Sequence, residues 1–162
     1  MTSVAFVLRE ARLPGDEAAM IRFIDGSQAF EHALEPDRRI DPDAGRDYLP
    51  HLLKRVRDDD GRIFVAEAQG RAVGWGVFHT MENAAYIVPD ERRYGYVAEL
   101  FVEEAHRGRG VGRALIAACE DAARALGLKL VMIGVLAANS RARRIYEESG
   151  FAPYGIELRK YL

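Results

Sequence analysis

Residues 107 to 113 read Arg107-Gly108-Arg109-Gly110-Val111-Gly112-Arg113 and open directly onto a stretch with helical spacing. That chemistry is anion binding. Glycines let successive backbone N–H groups turn toward one point, a helix amino terminus adds partial positive charge, and arginines supply further donors. Together they suit a pyrophosphate. A Walker A loop requires four residues between its two glycines and a following Lys-Ser/Thr, whereas Gly108 and Gly112 are one residue closer and Arg113-Ala114 follows. A dinucleotide fingerprint requires glycine where Arg113 stands.

A second group of chemistry-bearing residues lies on either side of this loop. Upstream, Glu99 is the only carboxylate inside the strand-like run Tyr94 to Val102. Downstream, Asn139-Ser140-Arg141-Ala142 opens a short helical stretch carrying Tyr146 and stopping at Gly150. Asn139 suits a helix cap. Cys119 falls on the apolar stripe of the preceding helix with Leu115 and Ala122, where packing outweighs nucleophilic chemistry. His32, His51, His79 and His106 show no metal-ligand spacing, and no metal is expected.

The pattern Arg/Gln-x-x-Gly-x-Gly/Ala, after a Leu-Phe-Val strand and before a long helix, resembles the acetyl-CoA-binding motif of the GNAT superfamily of N-acetyltransferases. The run Asn139 to Phe151 is similar to that family's second signature, Asn-x-x-Ala-x-x-x-Tyr-x-x-x-Gly-Phe. The resemblance covers about Val97 to Phe151. It implies acetyl-CoA as co-substrate, with Leu100, Phe101 and Val102 presenting backbone to the pantetheine arm and the amides of Arg107, Gly108, Arg109, Gly110, Val111, Gly112 and Arg113 holding the pyrophosphate. It further implies that Asn139 touches the pantetheine and that Tyr146 sits near the sulfur as a general acid. The Val102 N–H is the implied oxyanion donor. Glu99 is the first choice of base, although many relatives carry the carboxylate at the position of Ala98, and a one-residue shift in a regular strand reverses the face.

These residues need a scaffold, and the chain is long enough for one core, so residues 1 to 162 are expected to form a single domain. Apolar patterning gives a first strand over Val4 to Leu8, a helix from Asp16 through Phe23, a loop over 35 to 47, and a helix through Tyr48, Leu52 and Val56. Asp47 is its expected cap, with Pro50 in the first turn. Arg62 to Ala68 and Ala72 to Thr80 form a hairpin about Gln69-Gly70. A helix then runs from Gly110 to a left-handed cap at Gly127. Lys129 to Leu136 reads as a strand buried on both faces, and Tyr154, Ile156 and Leu158 alternate as a last strand. The strands near Val97 and Met132, joined by a helix, should be parallel neighbours.

The expected class is therefore α/β with a mixed sheet. The resemblance specifies a GNAT-like acyl-CoA N-acyltransferase fold: a mostly antiparallel sheet with a splayed parallel pair, flanked by about four helices.

Composition narrows the partners. One cysteine excludes an intramolecular disulfide, which fits the cytoplasm, and the longest apolar or glycine run, Leu130 to Ala138, is far short of the ~20 residues of a membrane helix. Residues 1 to 60 carry thirteen acidic against nine basic side chains, whereas residues 101 to 162 carry seven against ten. A net charge of −2 disfavours nucleic acid, and this asymmetry suits an anionic co-substrate on the carboxyl-terminal half and a cationic acceptor on the amino-terminal half. The expected acceptor is a primary amine of a small molecule or peptide. A homodimer is common in the resembling family, and a catalytically silent acyl-CoA-binding regulatory module is the alternative.

Overall fold

A computed structural model describes residues 5 to 162. Five strands form one sheet in the order β1-β2-β3-β4-β5, with β1 at Val7–Glu10, β2 at Arg62–Ala68, β3 at Arg71–Glu82, β4 at Arg93–Val102 and β5 at Val131–Ile133. Neighbours from β1 to β4 are antiparallel, and β4 and β5 are parallel. The helices are α1 (Glu17–His32), α2 (Ala44–Asp58), the single turn α3 (Pro89–Arg92), α4 (Val111–Ala125) and α5 (Ser140–Glu148). None is long and apolar enough to cross a membrane among the described residues.

Alternation along β3 and β4 gives the sheet two apolar faces, and each is covered by helix. Met20, Phe23 and Ile24 of α1 and Leu49 and Leu52 of α2 pack against Ile63, Trp75 and Val77. On the opposite face α4 supplies Val111, Leu115, Ile116, Cys119, Ala122 and Ala123, an apolar stripe at helical spacing. Helix α1 approaches β4 closely: a Cβ on Gly26 would lie 2.7 Å from the Phe101 ring. Glycine is required there.

The hairpin, the parallel pair and the Gly127 terminus, with its positive φ of 70°, follow the sequence pattern. Several expectations do not. Strand β1 starts three residues later than expected, at Val7, and Val4 lies outside the described residues. Helix α1 continues past Phe23 to His32, because Ser27 and Phe30 extend its inner side along β4. Helix α2 begins at Ala44 after Asp43, not at Asp47, so Pro50 is interior. Loss of that backbone N–H inside a helix costs about 3 kcal/mol, and burial of the flanking Leu49 and Leu52 offsets it.

The last two expected strands are corrected more heavily. Strand β5 spans three residues and is only half-buried, because β4 carries a bulge at the point where their pairing ends. No strand forms over Tyr154 to Leu158. Those side chains are exposed, and Arg159 instead pairs with Glu35 and Asp37 of the segment after α1.

Leu115 is fully buried between α4 and the sheet. Leu115→Ala should lower the unfolding free energy by about 3 kcal/mol, measured by urea denaturation, with the urea dependence itself unchanged.

Candidate active site

Three elements converge where β5 leaves β4. The pairing runs from Gly95↔Val131 to Val97↔Ile133 and stops, while β4 continues five more residues to Val102. Glu103 donates its N–H to Val73 O of β3 at 2.9 Å, so the preceding Val102 turns its backbone groups to the opposite, free edge. Leu100, two residues earlier, does the same. Helix α5 and the end of α1 approach this edge, enclosing a cavity of about 170 Å³.

Of the sequence-predicted residues, Leu100, Phe101, Val102, Arg107, Gly112, Asn139 and Tyr146 all line that cavity. Asn139 also caps α5, accepting from the Ala142 N–H at 3.1 Å. The expected cap at Asn139 is present, and the same residue stands in the cavity wall. Gly108, Arg109, Gly110, Val111 and Arg113 are not in the wall. Gly108 and Gly110 lie beside it with φ of 73° and 84°, and a Cβ on either would meet nothing within 4 Å, which leaves an open backbone cradle at the start of α4. Val111 is buried against the sheet.

The arginines divide differently from the sequence expectation. The Arg107 guanidinium turns back to β4, donating from Nε to Val102 O at 2.8 Å and lying 5.6 Å from the Phe101 ring centroid and 5.9 Å from that of Phe30. Arg113 pairs with Glu148 of α5. Arg109 stays exposed on the cradle, and Arg141 lines the cavity beside Asn139.

Glu99 answers the question of face. Val77 pairs with Glu99 and Phe78 with Val97, so Ala98 is the extra residue of a bulge. Ala98 packs into the α1–α2 core, and Glu99 turns to the same side, accepting from the Tyr48 hydroxyl of α2 at 2.9 Å. Carboxylates at either position would reach one side of the sheet. Burial raises the Glu99 carboxyl to about 7, the Tyr48 bond works against that shift, and the charge of Glu31 reinforces it. Burial also raises Tyr146 to about 12, with contributions from Glu31, Glu99 and Tyr96. Tyr48 is raised by burial and by Glu99, so it remains a donor at neutral pH.

Sequence reasoning missed Tyr48, Ser27, Phe30 and Glu31 as site residues. Ser27 and Glu31 are four apart on one side of α1, a signal hidden by ending that helix at Phe23. Cys119 is buried and its thiol raised to about 12 by burial, which suits packing. His79 is buried with Nδ1 against Thr80 O at 2.9 Å. Among the described residues no three His, Cys, Asp or Glu side chains group as metal ligands.

Comparison with known proteins places this geometry. An "IAA acetyltransferase" of Azospirillum brasilense is 33% identical over 65% of this chain and 65% of its own length. A "Mycothiol acetyltransferase" of Beutenbergia cavernae is 32% identical over 92% of this chain and 54% of its own. The chain thus spans under two thirds of the length of these curated relatives. Among solved structures, a predicted acetyltransferase with acetyl-CoA from Clostridium acetobutylicum has a TM-score of 0.72 at 16% identity, covering 97% of this chain and 96% of that one. The structure of AAC(6')-Iy in complex with a bisubstrate analogue has a TM-score of 0.70 at 19% identity, covering 98% and 99%. These two likenesses establish the fold. Residues 27–151 match the acetyltransferase (GNAT) family, and the chain belongs to that family.

Proposed function

We propose that residues 1 to 162 act as one N-acetyltransferase domain that moves the acetyl group of acetyl-CoA to a primary amine of a small molecule or peptide. The observation that supports it is a single cavity lined by the free edge of β4, the cap of α5 and Tyr146, with Glu99 on the adjoining side of the sheet. Bound acetyl-CoA supplies the thioester carbon that an amine attacks. The residues present fit it. The open cradle at Gly108 and Gly110 suits a diphosphate, the exposed Arg109 and Arg141 offer cations, and the unpaired Leu100–Val102 edge suits an amide-bearing arm that adds like a strand.

Chemistry then follows from the protonation states. An alkylammonium must lose a proton before its nitrogen is nucleophilic, and Glu99, raised to about 7, is matched to accept it directly or through water. Tyr146 keeps its proton at neutral pH and is the donor for the departing thiolate. The free Val102 N–H is the donor for developing negative charge on the acyl oxygen. One proton of the amine leaves through Glu99, and a second restores Tyr146. No acyl-enzyme is needed, since a deprotonated amine held beside the thioester is already competent.

The direct test is thiol release from acetyl-CoA across a panel of amines, amino acids, aminoglycosides and peptides. Tyr146→Phe should reduce kcat by about 10- to 10,000-fold with acetyl-CoA affinity retained; unchanged kcat removes Tyr146 from the mechanism. A raised melting temperature with acetyl-CoA but no turnover on any acceptor would favour the silent binding module instead.

Gly110→Asp should weaken CoA binding at least ~10-fold in calorimetry, because it places a carboxylate in the cradle and a Cβ at φ 84°. Equal affinity would move the cradle elsewhere. A ¹³C-carboxyl titration should give Glu99 a midpoint near 7. In Tyr48→Phe that midpoint should rise, since the lost hydrogen bond favours the charged form. A fall would contradict the assignment.

A further inference from the structure

Glu31 is the feature of the cavity that the proposed chemistry leaves unused. It stands on the wall contributed by α1, opposite Tyr146 of α5, and its charge reaches both Tyr146 and Glu99. Its Oε2 accepts from Arg38 Nε at 2.7 Å, and among the described residues its Oε1 has no hydrogen-bond partner. Arg38 is shared, because its Nη1 also donates to Asp37 at 2.6 Å. Asp37 is in turn held by Arg159, whose Nη2 meets Glu35 at 2.7 Å.

This network sets three carboxylates, Glu31, Glu35 and Asp37, against two guanidinium groups, Arg38 and Arg159. One negative charge is in surplus, and the only one of the three carboxylates in the cavity wall is Glu31. Glu99, tied to Tyr48, is a separate carboxylate outside that wall, and the charge of Glu31 reaches it. Two carboxylates therefore serve two different tasks. Glu99 takes up the proton of the reacting nitrogen and so ends neutral, while Glu31, engaged by Arg38 through Oε2 alone, offers Oε1 to a second cation. The wall that carries Glu31 also carries the apolar side chains of Phe30 and Ile145.

We infer that Glu31 is a specificity-determining residue that holds a second ammonium group of the acceptor, so that the preferred substrate is a diamine or longer polyamine with an aliphatic spacer. The inference rests on the transferase reading above. Recognition of a second cation by a carboxylate in the cavity wall acts mainly on acceptor binding, whereas a disturbed fold would act on every acceptor alike.

The test compares 1,4-diaminobutane with n-butylamine, two probes with the same four-carbon chain and one or two cations. In thiol release the parent protein should favour the diamine in kcat/KM by about 10-fold or more. In Glu31→Gln that ratio should fall toward one through the diamine KM, and Glu31→Asp should restore part of it. Arg38→Gln acts in the opposite direction: by freeing Glu31 of its internal partner it should raise the ratio. Calorimetry of the diamine alone, without acetyl-CoA, should show Glu31→Gln binding about 10-fold more weakly at a melting temperature near the parent's. A parent ratio near one, or a Glu31→Gln variant that loses both amines equally, overturns the inference while leaving the transferase reading intact. Failure to turn over any acceptor of the wider panel counts against the transferase reading instead. The calorimetric comparison then still decides the role of Glu31: equal binding in parent and variant overturns it.

Discussion

The carboxyl-terminal half of β4 has backbone donors and acceptors but no neighbouring strand. Buried or half-buried peptide groups demand partners, and a strand edge left open inside a protein is costly unless something covers it. Here β5 ends at Ile133, so Leu100 and Val102 turn their amides and carbonyls into a space closed by α1 and α5. Arg107 satisfies the Val102 carbonyl and stacks its guanidinium against Phe101 and Phe30. The other edge groups are left for a ligand that carries its own amides. Every other part of the site, from the glycine cradle to the α5 cap, is arranged around that gap.

The gap is held open by packing rather than by local preference. Helix α4 anchors one face of the sheet through Leu115, Ile116 and Cys119, and α1 anchors the other through Phe23 against Trp75 and Phe101. With β4 clamped from both sides, the bulge at Ala98 bends the strand and pairing with β5 lapses. Helix α5 is attached more lightly: its Asn139 cap and the edge-on contact of Tyr146 with Phe151 are local to it, and the Arg113–Glu148 pair ties it to α4. A lightly held helix beside an open edge is suited to adjust when a ligand enters.

Much of this was legible in the residues themselves. Glycines at 108, 110, 127 and 150 mark positions of positive φ, and the helical stripe of α4 declares its buried face. Seven of the residues expected to meet the cofactor do share one cavity. What failed was information that resides in tertiary contacts. Pro50 suits a first helical turn and the Asp-rich stretch before it looks like loop, yet α2 starts at Ala44 and burial of Leu49 and Leu52 carries it through the proline. Tyr154, Ile156 and Leu158 have strand periodicity but no sheet edge that receives them. The hydrogen-bond partners of Arg107 and Arg113, the Val102 carbonyl and the Glu148 carboxylate, lie 5 and 35 positions away, and no local pattern specifies them.

The bulge has an evolutionary corollary. Because it turns two successive side chains to the same side, a carboxylate in the proposed base role can migrate between the columns of Ala98 and Glu99 without leaving its neighbourhood. Comparisons that score identity column by column would record such a migration as loss of the base. In descendants of a common ancestor, this pair of positions is better treated as one functional slot with two addresses.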